Sequence, residues 1–162
     1  MGEFRRVFKR IINIFFEFLI VASIFSILQA HVFLLGFVPT PSMYPTVPVG
    51  SRIFALRGET KLKTGDLIVF EIPEMSDDYY IKRLIGLPDD LVEIKGGELY
   101  LNGEWLDIKA LGAVGDLGGD LKSTETGFFV LGDNLNNSLD SRFIGRISPE
   151  RFVAKVVFHK AF

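Results

Sequence analysis

A long uncharged run near the N-terminus constrains this chain more than any other feature. Residues 18–51 contain no Asp, Glu, Lys or Arg, and residues 18–38 alone supply 21 mostly apolar positions. A helix that crosses the hydrocarbon core of a bilayer needs about 20 such residues. The run therefore predicts one transmembrane helix, which we place at residues 11–38, between a basic segment at 1–10 and a separate domain at 39–162.

The charges on either side of the run predict its orientation. Residues 1–10 carry four Lys and Arg and one Glu, whereas residues 39–162 carry 14 Lys and Arg and 18 Asp and Glu. Because Lys and Arg concentrate on the cytoplasmic side, we expect a cytoplasmic N-terminus and a domain on the outer face. A cleaved signal peptide is the alternative, but Leu28 stands where a cut after Ala30 needs a small residue.

Composition narrows the chemistry. The chain has no cysteine, and its two histidines are His31 and His159. Disulfides and thiol catalysis are therefore excluded, and a zinc site is disfavoured. The net charge of -2 offers no basic patch for nucleic acid. We expect no metal, no cofactor and no nucleic-acid partner.

The residues after the run predict a small, mostly antiparallel β domain. Four prolines between residues 39 and 48 end any helix and hold the backbone extended. Gly96 and Gly97 join two of the predicted strands as a two-residue hairpin. We expect residues 110–122, with four glycines, to form a surface loop. The predicted strands are residues 52–56, 67–72, 79–85, 91–95, 98–101, 128–131 and 152–158.

Ser42 and Lys82 are the candidate catalytic pair. Ser42 lies in the stiff proline-rich segment that directly follows the apolar run, and strand alternation places Lys82 on one face with Tyr80 and Leu84. Burial lowers the pKa of a lysine, and a neutral amine can then act as a base for a serine hydroxyl. This pattern indicates a membrane-tethered serine protease. The alternative for this segment is a solvated Lys82-Arg83 pair on an exposed strand.

Four segments in this order resemble the conserved boxes of bacterial type I signal peptidases, also called leader peptidases. They are SMYPT at 42–46, GDLIVF at 65–70, YIKRLIGLPDD at 80–90 and GDNLNNSLDSR at 132–142. The resemblance implies the signal peptidase fold, with Ser42 as the nucleophile and Lys82 as the general base. It also implies that the Thr40 hydroxyl and the Ser42 backbone N–H form the oxyanion hole.

The same resemblance implies supporting and substrate-binding residues. Ser138 corresponds to the hydroxyl that orients the lysine amine, and Asp140 and Arg142 correspond to a structural ion pair. The positions that correspond to shallow apolar substrate pockets are Val38, Pro39, Met43, Val47, Val69, Tyr80 and Ile81.

Two departures from the family pattern stand out. Pro41 occupies a position where many members have glycine, and proline restricts the backbone beside Thr40. Only 49 residues separate Lys82 from Gly132, so the large second β domain of some members has no room there. We therefore expect a minimal catalytic core.

The implied function is removal of signal peptides from exported preproteins, by cleavage after small-x-small motifs at the outer face of the cytoplasmic membrane. The expected partners are signal peptides and membrane lipid, and we expect a monomer. Two alternatives stay open at this point. One is a Ser-Lys self-processing protease with a related β fold, and the other is a non-catalytic, membrane-anchored β module that binds partners.

Overall fold

The computed structural model describes residues 2–58 and 61–160, and it begins with one long helix. Helix α1 spans Gly2–His31, and the part Phe4–His31 is long and apolar enough to cross a membrane. Its most apolar window is not buried against any other described part of the chain. The helix therefore differs from the core helix of a soluble domain, which buries its apolar face.

The predicted end of the helix at residue 38 is wrong. The helix stops at His31, and the strand β1, Phe33–Phe37, follows it directly. β1 pairs antiparallel with β2, Arg52–Arg57, and Leu34 on β1 is buried. Because β1 gains both a hydrogen-bonded partner strand and a place in the core, tertiary pairing decides the conformation of this apolar segment. The helix also starts at Gly2, so it includes most of the basic segment that we had set apart.

Two antiparallel sheets form the rest of the fold, which confirms the predicted mostly β domain. Besides β1 and β2, the elements are β3 Leu67–Ile72, β4 Ser76–Gly86, β5 Val92–Lys95, β6 Glu98–Leu101, β7 Glu104–Leu106, β8 Leu121–Ser123, β9 Phe129–Leu131, α2 Ser141–Ile144 and β10 Phe152–Lys160. The larger sheet has the strand order β1-β2-β10-β3-β4-β9, and the smaller has the order β7-β6-β5-β8. All seven predicted strands form, with small shifts at their ends, whereas β1, β7 and β8 were not predicted.

The predicted hairpin is confirmed. β5 and β6 pair from Val92↔Leu101 to Lys95↔Glu98, so only Gly96 and Gly97 lie between the strands. Both glycines have positive φ, 58° and 80°. A two-residue turn of this kind matches the right-handed twist of the strands, and it requires residues that tolerate positive φ at both positions.

The Arg146 guanidinium connects the two sheets. It donates hydrogen bonds to the backbone oxygens of Leu87 and Gly127, at 3.0 and 2.8 Å, beside the larger sheet. It also binds both the hydroxyl and the carbonyl oxygen of Ser123 on β8, at 2.8 and 3.1 Å. One rigid guanidinium thus binds oxygen atoms from both sheets' surroundings: Leu87 and Gly127 beside the larger sheet, and Ser123 in the smaller sheet. These bonds hold the smaller sheet in place beside β4 and β9.

Candidate functional site

Ser42 lies on a short 3-10 helix, Pro41–Met43, whose first residue is a proline. Hydrogen bonds from residues 132–142, which we call the polar loop, hold the backbone at Ser42 in place. Asn134 N donates to the Ser42 carbonyl oxygen at 3.0 Å, and Asn134 Nδ2 donates to the Pro41 carbonyl oxygen at 3.2 Å. The Ser42 residue is only 8% exposed. The serine hydroxyl is therefore presented from a constrained backbone.

Lys82 reaches Ser42 from β4, the strand next to the edge strand β9 of the larger sheet. It lies on β4 opposite Ile68 of β3, and the Lys82 residue is 4% exposed. Its Nζ atom lies 2.7 Å from Ser42 Oγ, within the range of a strong hydrogen bond. The tertiary structure thus brings together the two residues that the sequence singled out.

Burial determines the protonation of Lys82. Loss of solvent lowers the pKa of its amine to about 8, although the nearby carboxylates of Asp140 and Asp133 act in the opposite direction. A neutral amine therefore becomes common at mildly alkaline pH. In that form the Ser42 hydroxyl can donate its hydrogen to Nζ, which is the geometry that a general base requires.

Thr40 presents a second hydroxyl beside the nucleophile. Its backbone is extended, with φ -116° and ψ 153°, as expected for a residue that precedes proline. Thr40 Oγ1 lies 3.5 Å from Ser42 Oγ. Pro41 therefore does not turn the Thr40 hydroxyl away from the site.

Asp140 and Arg142 form an ion pair that organises the polar loop after β9. Arg142 Nε donates to Asp140 Oδ1 at 2.8 Å, and both side chains are buried. Asp140 Oδ2 also accepts from Gly132 N at 3.0 Å, while Arg142 Nη2 donates to the Leu135 carbonyl oxygen at 2.7 Å. These bonds fix the two ends of residues 132–142 to each other.

Ser138 lies in this loop, but it makes no hydrogen bond to Lys82. Its Oγ atom is buried and has no hydrogen-bond partner among the residues that the structure describes. It packs against Gly132, close to the Ser42 carbonyl oxygen. The structure thus places Ser138 next to the backbone of the nucleophile.

Our sequence analysis missed a buried ion pair between Arg83 and Asp133. Arg83 Nε and Nη2 donate to the two carboxylate oxygens at 2.7 and 2.6 Å, and Arg83 Nη1 donates to the Gly65 carbonyl oxygen at 2.7 Å. Both residues, and Asn134 beside them, lie within the motifs that we quoted. Their place inside these motifs was the signal from which a structural role could have been predicted.

Part of the predicted surface loop at 110–122 supports the site. Val114 forms a parallel bridge with Asn134. Val114 N donates a hydrogen bond to the Asp133 carbonyl oxygen at 2.7 Å, and the Val114 carbonyl oxygen accepts one from Leu135 N at 2.9 Å. The last two residues of the predicted loop, 121 and 122, belong to β8. The predicted surface loop is therefore confirmed for residues 110–120, most of which are exposed, and wrong for the two residues that belong to β8. The backbone of Val114 also finds partners in the polar loop beside Ser42.

A mostly apolar cleft of about 570 Å³ leads to Ser42 and Lys82. Five of the seven predicted pocket residues line it, namely Val38, Pro39, Val69, Tyr80 and Ile81. Met43 and Val47 do not line the cleft, because they are fully buried in the core behind it. Within the described residues, no group of three or more His, Cys, Asp and Glu side chains could hold a metal ion.

The sequence profile described as "Signal peptidase, peptidase S26" matches residues 9–160. The chain belongs to this signal peptidase family. It is therefore a serine endopeptidase of the class that cleaves signal peptides from preproteins. This membership sets aside both alternatives that the sequence left open, the self-processing protease and the non-catalytic module.

Individual relatives agree with this assignment. The chain is 34% identical to signal peptidase I of Bacillus amyloliquefaciens, and the alignment covers 93% of this chain and 88% of the relative. It is 35% identical over 159 residues to signal peptidase I T of Bacillus subtilis strain 168, covering 86% and 81%. A match to the probable signal peptidase I-2 of Synechocystis, at 32% identity, spans 74% of this signal peptidase but 59% of the relative.

Among solved structures, signal peptidase I of Enterococcus faecalis V583 is 31% identical, with a TM-score of 0.49, covering 61% of this chain and 98% of that one. The family assignment depends on the sequence matches alone. Together with the apolar helix α1, it fits a membrane-anchored signal peptidase.

Proposed function

We propose that this signal peptidase cleaves preproteins with a Ser42-Lys82 dyad. The observation that supports the dyad is the 2.7 Å contact between Lys82 Nζ and Ser42 Oγ, made by a buried lysine whose pKa is lowered to about 8. An uncharged amine within hydrogen-bond distance of a serine hydroxyl can activate it as a nucleophile. Neither histidine could do this, since His31 ends helix α1 and His159 lies near the end of β10.

In the proposed acylation step, Ser42 Oγ attacks the scissile carbonyl carbon while neutral Lys82 accepts the hydroxyl proton. The Thr40 hydroxyl and the Ser42 N–H stabilise the oxyanion. As the amide C–N bond breaks, the Lys82 ammonium donates its proton to the leaving amine, which leaves an acyl-enzyme and a neutral lysine.

In deacylation, Lys82 accepts a proton from a water molecule that attacks the ester, and it returns that proton to Ser42 Oγ. We propose that Ser138 orients the amine through both steps, because its buried hydroxyl lies close to the Ser42 backbone and is used by no hydrogen bond among the described residues. The ion pair of Asp140 and Arg142 keeps the loop that carries Ser138 in place.

The cleft favours small uncharged side chains before the scissile bond. Its walls near the dyad are the branched apolar side chains of Val38, Val69 and Ile81. These side chains cannot form an ion pair or a hydrogen bond with a charged or polar side chain of the substrate. Burial of an unpaired charge there is costly. We therefore propose cleavage after small-x-small motifs such as Ala-x-Ala.

We also propose that the N-terminus is cytoplasmic and that the β domain works on the outer face of the cytoplasmic membrane. The basic residues that precede the apolar run support this orientation. Ser42 lies 11 residues beyond the end of helix α1, and the short strand β1 lies between them. The nucleophile would then be close to the lipid surface where cleavage sites of signal peptides emerge. We propose that the enzyme acts there as a monomer in contact with lipid.

The dyad is tested with the full chain in detergent and a preprotein that carries an Ala-x-Ala site. Ser42→Ala and Lys82→Ala should each remove nearly all turnover, and the double variant should be hardly worse than either, because residues that act as a unit are not additive. Lys109→Ala, at an exposed lysine outside the cleft, is the matched control and should cleave normally. Substantial cleavage by folded Ser42→Ala protein would exclude Ser42 as the nucleophile.

The topology is tested by adding protease to intact cells or spheroplasts. The β domain should be digested while an N-terminal tag remains protected. A β domain that survives until the membrane is opened contradicts the proposed orientation.

A further inference from the structure

Asp78 lies in the cleft at a distance from the dyad, and its role is not explained by the chemistry above. It is an exposed residue, and it lines the same cleft as Ser42 and Lys82. Among the described residues of that lining, only Lys82 and Asp78 are charged. Since Lys82 is buried and bonded to Ser42, Asp78 supplies the charge that a bound peptide would meet first.

The position of Asp78 on β4 relates it to the scissile bond. Asp78 and Lys82 are four residues apart on the same strand, and both line the cleft together with Tyr80. At about 3.3 Å per residue, the two positions are about 13 Å apart along the strand. A substrate that lies extended beside β4 advances by the same rise, so Asp78 would face a residue about four positions away from the one at Ser42.

Direction along the cleft follows from the apolar walls. In the proposed function, the small residues that precede the scissile bond occupy the walls near Val69 and Ile81, and Ile81 lies on β4 between Asp78 and Lys82. A chain that continues past these walls reaches Asp78. The residue that faces Asp78 therefore also precedes the scissile bond.

Hydrogen bonds hold the carboxylate at this position. Ser76 Oγ donates to Asp78 Oδ2 at 3.3 Å and accepts from Asp78 N at 2.9 Å. The Tyr80 hydroxyl in turn donates to Ser76 Oγ at 3.4 Å. Asp78 takes part in none of the ion pairs described between residues 2–58 and 61–160. The carboxylate is oriented but its charge is not neutralised.

We propose that Asp78 forms a subsite for a basic side chain of the substrate, about four residues before the residue whose carbonyl is attacked. This inference rests on the proposed signal-peptide cleavage. A lysine or arginine there forms an ion pair with the carboxylate at the cleft surface, whereas an acidic side chain meets a charge of the same sign. Asp78 thus selects among preproteins that share the same small-x-small motif.

The test compares three peptides that are identical except for Lys, Ala or Glu at the fourth position before the attacked residue. With the full chain in neutral detergent at low ionic strength, kcat/KM should fall in the order Lys, Ala, Glu, with about a tenfold difference between the extremes, and the difference should shrink in high salt. Asp78→Asn should remove this order, and Asp78→Lys should reverse it. A reversal cannot arise from partial unfolding, which would lower all three rates together.

Glu104→Gln is the matched control, because it removes one exposed carboxylate from β7, outside the cleft. It should preserve the order that the unmodified enzyme shows. Equal cleavage of all three peptides by the unmodified enzyme, or an unchanged order in Asp78→Asn, overturns the subsite and leaves the proposed function standing. If none of the peptides is cleaved, the proposed function itself fails.

Discussion

Gly132 and Ser138 pack so closely that no side chain fits at position 132. A Cβ atom added to Gly132 would lie 2.1 Å from Ser138 Oγ and 2.6 Å from the Ser42 carbonyl oxygen. Both distances are far shorter than a van der Waals contact. The absence of a side chain at Gly132 is therefore what allows the polar loop to approach the backbone of the nucleophile.

Gly132→Ala should separate the polar loop from Ser42. Overpacking of this kind typically costs about 1–3 kcal/mol of folding free energy, and a displacement of about 1 Å near the reacting groups can cost about 100-fold in rate. We expect a lower Tm and a loss of kcat of that size on a preprotein substrate. Gly119→Ala is the matched control, because a Cβ there meets no atom within 4 Å. Normal kcat in the Gly132 variant would show that the loop tolerates the displacement.

Activity should rise with pH as Lys82 loses its proton. The base must be neutral, and burial lowers the pKa of Lys82 to about 8. We therefore expect kcat/KM to increase about tenfold per pH unit below that value and to level off above it. The measurement is a profile of kcat/KM from pH 6 to pH 10 on a soluble peptide. An acidic limb with its midpoint near 4 or 5 would indicate a carboxylate base instead.

Lys82→Met should stabilise the fold at neutral pH while it removes activity. The pKa of Lys82 falls from 10.5 to about 8 in the folded protein, so between these values the unfolded chain binds more protons than the folded one. Stability therefore rises with pH through this window, and below it the buried ammonium costs on the order of 3 kcal/mol.

Urea unfolding at pH 7 and at pH 10 tests this sign. The advantage of the methionine variant should be clear at pH 7 and much smaller at pH 10. Leu84→Met, a volume-conserving change at a buried site two residues along β4, controls for a general effect of methionine and should show no such pH dependence. An advantage for Lys82→Met that is equal at both pH values would contradict the lowered pKa.

Truncation should separate the anchor from the β domain at His31. A chain that starts at Val32 keeps β1, whereas a chain that starts at Val38 loses five residues that pair with β2. It also loses Leu34, which is 6% exposed in the core, and burial of one such side chain stabilises a fold by about 1.5–3 kcal/mol. We expect the first truncation to cleave a soluble peptide and the second to have a markedly lower Tm and little activity. Equal Tm values would show that β1 is dispensable.

Local patterns in the sequence were sufficient to predict much of the fold. Hydrophobic alternation indicated seven strands, and the Gly96-Gly97 pair indicated the hairpin, because period and turn chemistry depend on neighbouring residues. The same reasoning failed for β1. A short apolar segment directly after an apolar helix could either continue the helix or form a strand. For β1, only the pairing with β2 decides between the two. The short strands β7 and β8 also take their form from pairing with β6 and β5.

The sequence by itself determined which residue types could carry the chemistry: a serine on a stiff segment, a lysine on an apolar strand, and no histidine in a useful place. Only the tertiary structure decided that Lys82 Nζ lies 2.7 Å from Ser42 Oγ, that Arg83 pairs with Asp133, and that Met43 and Val47 face the core rather than the cleft. Distances and burial at such positions depend on residues far apart in the chain, so no local pattern encodes them.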